Sequence, residues 1–227
     1  MSPPATWAWA ASGKHPVVKD YIIIGQETTI ANALAGWVEE GYARVSGNTA
    51  LHSWRFLARG AQPEELACGL LRDSFDGAGR PFPFLIVGSG RLEGWEKHWV
   101  YLPEICDSLW ERMEFLCTKR VFGLDELKTD ISRLPSPVLK KQWPSAAVSE
   151  GDGTSLADSR EGMLAIGLKG AGDHHGEIIQ GLATLKAHSS SVPDALFIGG
   201  PLERSFLVAF TRQINAADFL RLWTMGK

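Results

Sequence analysis

The residues of this chain whose types suit chemistry fall in a few short clusters. Asp173, His174, His175 and Glu177 stand together in the glycine-rich stretch GAGDHHGE. Carboxylate and imidazole donors of this kind bind zinc or manganese. Adjacent histidines do not share a helical face, and a buried metal centre takes ligands from several segments. The plainer reading is therefore a solvated turn or a polar helix start, with these four residues kept as metal-ligand candidates. Gly13, Lys14 and His15 suggest a phosphate loop, but that motif needs GxxxxGK followed by Ser or Thr, which is missing here. Gly88 and Gly90 in GSGRLEG follow an apolar run as in a dinucleotide fingerprint. The third glycine, Gly94, comes one residue late, so these glycines are expected simply to let the chain leave its sheet. There is no GxSxG, and Cys68, Cys106 and Cys117 form no CxxC pair. We read the three as reduced thiols acting as small hydrophobes. The sequence thus offers no catalytic residue and no cofactor-binding residue.

Composition narrows the classes further. The chain has 227 residues, 44% of them hydrophobic and 22% charged, which is enough for a sizeable core. A mean hydropathy of -0.07 fits neither a membrane protein nor a disordered one. The formal net charge of -3 leaves no basic footprint for nucleic acid or an anionic membrane. The N-terminus MSPPATWAWAAS lacks the basic start and apolar core of an export signal, so the expected location is cytoplasmic. Nine tryptophans are many for this length, and most are expected in core packing.

The elements that position these groups are organised around DGAGRPFPFLIV, Asp76 to Val87. Gly77 to Gly79 is a flexible break, and Phe82 to Val87 has the aromatic and β-branched character of a buried strand. Leu66 to Phe75 precedes it as an approach strand, so a hairpin with a loop of about four residues is expected. Pro81 and Pro83 lack ladder donors and mark an irregular strand start. Arg80 is left at the rim. There it either pairs with Asp76 or Asp73 to pin the turn, or presents its charge to an anionic partner.

Upstream, Thr6 to Ala11 reads as a strand, and the following SGKHPVVKDYIIIG as an irregular loop marked by Gly13 and Pro16. Helical spacing from Glu27 to Val45 turns Trp37 toward the sheet, and Trp54 to Ala58 is a short strand. Helices are predicted over Glu104 to Val121 and Leu124 to Leu134. Ser136 to Gly162, rich in Pro, Ser, Gly and Asp, reads as a long connection. Beyond it, Met163 to Leu168, Glu177 to His188, Ala195 to Ile198, Phe206 to Phe210 and a helix capped by Asn215 give the order βαββα. The implied class is α/β, a mixed sheet with an antiparallel meander, covered by helices on both faces. The implied division is a domain at 1–135, a connection at 136–162 and a segment at 163–227 packed on the same domain.

Three of these segments carry a family resemblance. GKHPVVKDYI at 13–22 is similar to a GKxPxxGDF(V/I) element through Gly13, Lys14, Pro16, Asp20 and Tyr21. The helix with Trp37, Glu40 and Gly41 is followed by the Trp54-Arg55-Phe56 strand. Asp76 with Gly79, Arg80, Phe82, Pro83 and Phe84 resembles D-x-x-GRxFPL. In this order, over roughly residues 6 to 135, they resemble the TagF (ImpM) family of type VI secretion accessory proteins. Lys19, Tyr21 and Phe84 depart from the family pattern, standing for glycine, phenylalanine and leucine. The resemblance implies a three-layer αβα fold and a bacterial, cytoplasmic, non-enzymatic protein. It further implies negative regulation after translation, through contact with a scaffold protein bearing a forkhead-associated domain.

On that reading the 13–21 loop and the Arg80 rim form the contact surface. The alternative for Lys14 and Asp20 is a structural pair that locks the loop onto the sheet. The alternative functions are a small nucleotide- or metal-dependent enzyme, or a structural component of the secretion apparatus.

Overall fold

The computed structural model describes residues 7–46, 51–119, 123–138, 156–168, 175–188 and 191–226. The first half contains β1 (Ala8–Lys14), β2 (Tyr21–Gly25), α1 (Thr29–Tyr42), β3 (His52–Arg59), β4 (Glu65–Arg72) and β5 (Phe84–Arg91). Two short 3-10 turns, at Trp95–Lys97 and Trp99–Tyr101, lead into α2 (Leu102–Thr118) and α3 (Leu124–Ser132). Then follow β6 (Leu156–Arg160), β7 (Met163–Leu168), α4 (His175–His188), β8 (Ala195–Pro201), β9 (Ser205–Phe210) and α5 (Ala216–Thr224).

The strands form one nine-stranded sheet in the order β2-β1-β5-β4-β3-β8-β9-β7-β6. Its neighbours all pair antiparallel, which corrects the expectation of a mixed sheet. The reason lies in β9. The strand–helix–strand run β7-α4-β8 suggests a parallel pair from its sequence, and β7 and β8 do run the same way. β9 sits between them, however, antiparallel to both. The ladder between β3 and β8, from His52 opposite Pro201 to Ala58 opposite Ala195, carries the sheet from the first half of the chain into the second.

Alternation along the strands builds a core on each face. Leu57, Leu66, Cys68, Leu70 and Ile86 pack with Leu109 and Met113 of α2, Leu127 and Ile131 of α3, and Leu182 of α4. Phe56, Ala67, Leu71, Leu85 and Val87 pack with Leu34 and Trp37 of α1, and with Phe219 and Trp223 of α5. Each large apolar side chain buried in this way stabilises the fold by about 1.5–3 kcal/mol. Local signals fix the starts of α1 and α5. The Thr28 hydroxyl accepts from the Ala31 N–H at 3.2 Å, and Asn215 with Asp218 closes a full capping box on α5.

Several boundaries differ from the sequence reading. β1 runs on to Lys14 and β2 begins at Tyr21, so the irregular loop shrinks to 15–20. β5 continues through Gly88, Ser89 and Gly90 instead of leaving the sheet. A Cβ on Gly88 would lie 2.3 Å from the Trp9 ring and one on Gly90 2.8 Å from Trp7, so these glycines make room for two indoles. The β4–β5 connection spans 73–83, longer than a four-residue hairpin loop, with a lone bridge between Phe75 and Pro81. β6 lies within the span read as a connection, 136–162, of which residues 139–155 fall outside the described residues. No helix among the described residues is long and apolar enough to cross a membrane.

Candidate functional site

Antiparallel pairing of β1 with both β2 and β5 brings the 13–21 and 76–84 segments side by side at one end of the sheet. Their junction is Asp76, which is fully buried. One carboxylate oxygen accepts from the backbone N–H groups of Ala78 at 2.9 Å and Arg80 at 3.0 Å, which shapes the turn. The other accepts from Arg80 Nε at 2.7 Å and lies 3.5 Å from Lys14 Nζ. Burial alone would push this carboxyl up. The two N–H donors and the guanidinium outweigh it and hold it down at about 2, so it is ionised at neutral pH.

The turn is tied to the preceding loop by backbone as well. The Gly77 N–H donates to the Val18 carbonyl at 2.6 Å, and Arg80 Nη2 donates to the Lys19 carbonyl. Gly13 sits at φ +117°, where a Cβ would lie 2.1 Å from the Pro83 carbonyl oxygen. Pro16 places its carbonyl against Gly77. Tyr21 meets Phe82 edge-on at 5.4 Å, and Phe82 in turn meets Tyr42 at 5.1 Å, linking the site to α1. Burial pushes the Tyr21 phenol up to about 12; Ser12 opposes the shift and Glu39 adds to it.

Lys14 therefore takes Asp76 as its ion partner, which corrects the expected Lys14–Asp20 pair. Asp20 instead lies 3.6 Å from Arg80, with its side chain 90% exposed against 58% for Arg80. Lys19 and Asp20 are exposed beside them, and Phe75 is exposed on the same connection. The result is a surface strip of mixed charge standing on a buried carboxylate. Its chemistry is ion pairing and hydrogen bonding.

Trp37 and Trp54 are not brought to this strip. Trp54 is fully buried beside Phe197, and Trp37 donates from Nε1 to the Asn215 carbonyl at 2.8 Å, pinning α1 to the start of α5. Both belong to the core. Among the metal candidates, Asp173 and His174 lie outside the described residues, while His175 and Glu177 stand in the first turn of α4. No group of three or more His, Cys, Asp or Glu residues able to hold a metal ion occurs among the described residues.

The sequence reading missed the roles of three residues. His15 is buried, 5.2 Å from Phe84, with Nδ1 accepting from the Val17 N–H at 3.2 Å. Burial lowers its pKa, and the nearby Leu116 backbone of α2 acts in the opposite direction. Its neighbours Lys14 and Pro16 made it look like loop surface, although the Gly13–Phe84 pairing carries it over the core. Tyr42 closes the aromatic run and had only its position at the end of a helix as a signal. Asp218 is a second fully buried carboxylate, held by Arg212 at 2.6 and 2.8 Å and by Arg221 at 3.1 Å. Arg221 reaches on to Glu161 at 2.8 Å, so this cluster ties α5 to the β6–β7 turn. A groove of about 380 Å³ opens elsewhere, among Ile30, Leu34 and Trp37 of α1, Arg59, Asp194 and Gln213.

Comparison with known proteins bears on the same segments. Residues 10–134, more than half of the chain, match the family model described as the TagF N-terminal domain, type VI secretion system-associated. No curated protein matches. The crystal structure of PA0076 from Pseudomonas aeruginosa PAO1 at 2.05 Å resolution is similar in fold, with a TM-score of 0.60 at 17% identity, over 96% of this chain and 95% of that one.

Proposed function

This chain belongs to the TagF family of type VI secretion system-associated proteins, and from that membership we propose that it is a cytoplasmic, non-enzymatic negative regulator of such a system. It acts after translation, by protein–protein contact with a scaffold bearing a forkhead-associated domain. We place the contact on the strip formed by Lys19, Asp20, Arg80 and the adjoining 13–21 loop. We also read the helices on both sheet faces as a three-layer αβα arrangement, with β3, β4 and β5 as a meander.

One observation carries this reading. The family-like residues Gly13, Lys14, Asp76 and Pro83 are used internally to fix two loops against each other, while Arg80 and Asp20 remain largely exposed above them. A buried carboxylate that holds the loops beneath exposed charges suits recognition, because ordering costs less on binding when the loops are already held.

The test is affinity capture of the forkhead-associated scaffold by purified protein. Asp20→Lys and Lys19→Glu, both at exposed positions, are expected to abolish or strongly weaken capture while leaving the far-ultraviolet circular dichroism and melting temperature unchanged. Undiminished capture by both variants would remove the strip from the contact. Absence of capture by the unaltered protein would refute the scaffold reading.

A further inference from the structure

We propose that the outer edge of β2 is a self-pairing surface, through which two copies of this chain join antiparallel about Ile23 and continue one sheet across the pair. β2 stands at the end of the sheet, with β1 as its one strand partner among the described residues. The Gln26 N–H reaches the Trp9 carbonyl at 3.0 Å. Backbone groups of successive strand residues alternate in direction, so those of Ile24 and Ile22 also point toward β1. The N–H and C=O groups of Tyr21, Ile23 and Gly25 consequently point outward.

Exposed edges are ordinarily blunted by lysine, proline or a bulge. The strand YIIIG has no lysine or proline, and its ladder with β1 runs from Lys14 opposite Tyr21 to Ala10 opposite Gly25 without a register shift. Ile22 and Ile24 are buried in the core, whereas the Ile23 side chain is 69% exposed. The edge thus offers both backbone hydrogen bonds and an apolar side chain.

A second copy fits this edge better than an arbitrary strand does. Hydrogen-bonded antiparallel pairs form between residues whose groups both point outward, so odd-numbered positions must meet odd-numbered ones. The register that sets Ile23 opposite Ile23 engages the whole strand, with Tyr21 opposite Gly25 and Ile22 opposite Ile24. It keeps the buried isoleucines of both copies on one face and covers the two exposed Ile23 side chains with each other. Just beyond the two ends of the strand, the same two-fold brings the end bearing Lys19 of one copy to the end bearing Glu27 of the other, and both are exposed. The end bearing Lys19, Asp20 and Arg80 has a surplus positive charge, and it meets Glu27 at both ends of the seam. Such an interface is isologous and closed.

The seam is short, so association is expected to be reversible and dependent on concentration. Sedimentation velocity of the full chain from micromolar to sub-millimolar concentration should show a mass rising from 24.8 kDa toward twice that value. Ile23→Lys puts a charge on an exposed site without touching the core, and should raise the dissociation constant about tenfold or more. Lys19→Glu or Glu27→Lys alone should weaken pairing by roughly threefold, and the two together should restore it. Deuterium exchange at the Ile23 amide should slow as concentration rises. A chain that stays monomeric throughout would overturn the proposal. So would a dimer indifferent to these substitutions, or an Ile23 amide equally protected at every concentration.

Discussion

Arg80 Nε donates to Asp76 at 2.7 Å, and the two groups differ sharply in exposure: the Asp76 side chain is fully buried and that of Arg80 is 58% exposed. One partner belongs to the interior and the other to the surface. The pair therefore transmits the position of the buried turn to the exposed strip.

Substituting Asp76 by Asn should lower the melting temperature by roughly 5–10 °C, because Lys14 and Arg80 lose the carboxylate that faces them. The pH dependence has a definite sign. Asp76 ionises at about 2 in the fold against 3.8 when unperturbed, so its stabilisation is fully present above pH 4 and is lost as pH falls toward 2. Urea titrations at a series of pH values should show this acid-sensitive component in the unaltered protein and its removal in Asp76→Asn.

Tyr21 provides an alkaline counterpart. Its phenol is raised to about 12 against 10 in the unfolded chain, so its stabilisation is complete below pH 10 and disappears as pH rises through 12. The chain has three tyrosines, so ultraviolet titration can follow them singly. Tyr21→Phe should delete the latest phenolate step and flatten the stability profile between those limits.

Two glycines of α1 should respond oppositely to alanine. A Cβ at Gly36 meets nothing within 4 Å, so Gly36→Ala should stabilise by about 0.5–1 kcal/mol through backbone entropy alone. A Cβ at Gly41 would lie 2.3 Å from Phe219 Cβ, so Gly41→Ala should destabilise by about 1–3 kcal/mol as α5 is pushed from α1. Thermal denaturation of the two variants side by side reads both signs.

Removing the second buried carboxylate by Asp218→Asn should loosen α5 before the rest of the fold. Burial raises this carboxyl, but Arg212, the Asn215 N–H and Arg221 together bring it below its ordinary value, so the fold is stabilised by its charged form. Hydrogen exchange should show protection lost first in Ala216–Thr224, and the same segment should open in the unaltered protein as pH falls below the ordinary carboxylate range.

Much of this organisation follows from local chemistry. The periodicity of α1 and α2, the Asn215 cap and the apolar strands around Phe56 and Ile86 are set by side-chain spacing within a few turns or residues, so they are legible in the sequence. The family-like segments 13–22 and 76–84 are legible in the same way. Other features depend on residues far apart in the chain. Strand order is one, because the insertion of β9 between β7 and β8 makes an apparent parallel unit antiparallel. The role of Gly88 is another, since it is set by Trp9 on a neighbouring strand and not by its own glycine-rich context. The partner of Lys14 is a third. Asp20 is close in sequence, yet Asp76 is the carboxylate that the pairing of Gly13 with Phe84 brings within reach. Local sequence determined most of the strands and helices, though not β2 or β6, because propensity and periodicity act over short range. Tertiary structure alone decided which charges meet, because a Coulombic or hydrogen-bonded contact depends on distance in space, and the sheet register sets that distance.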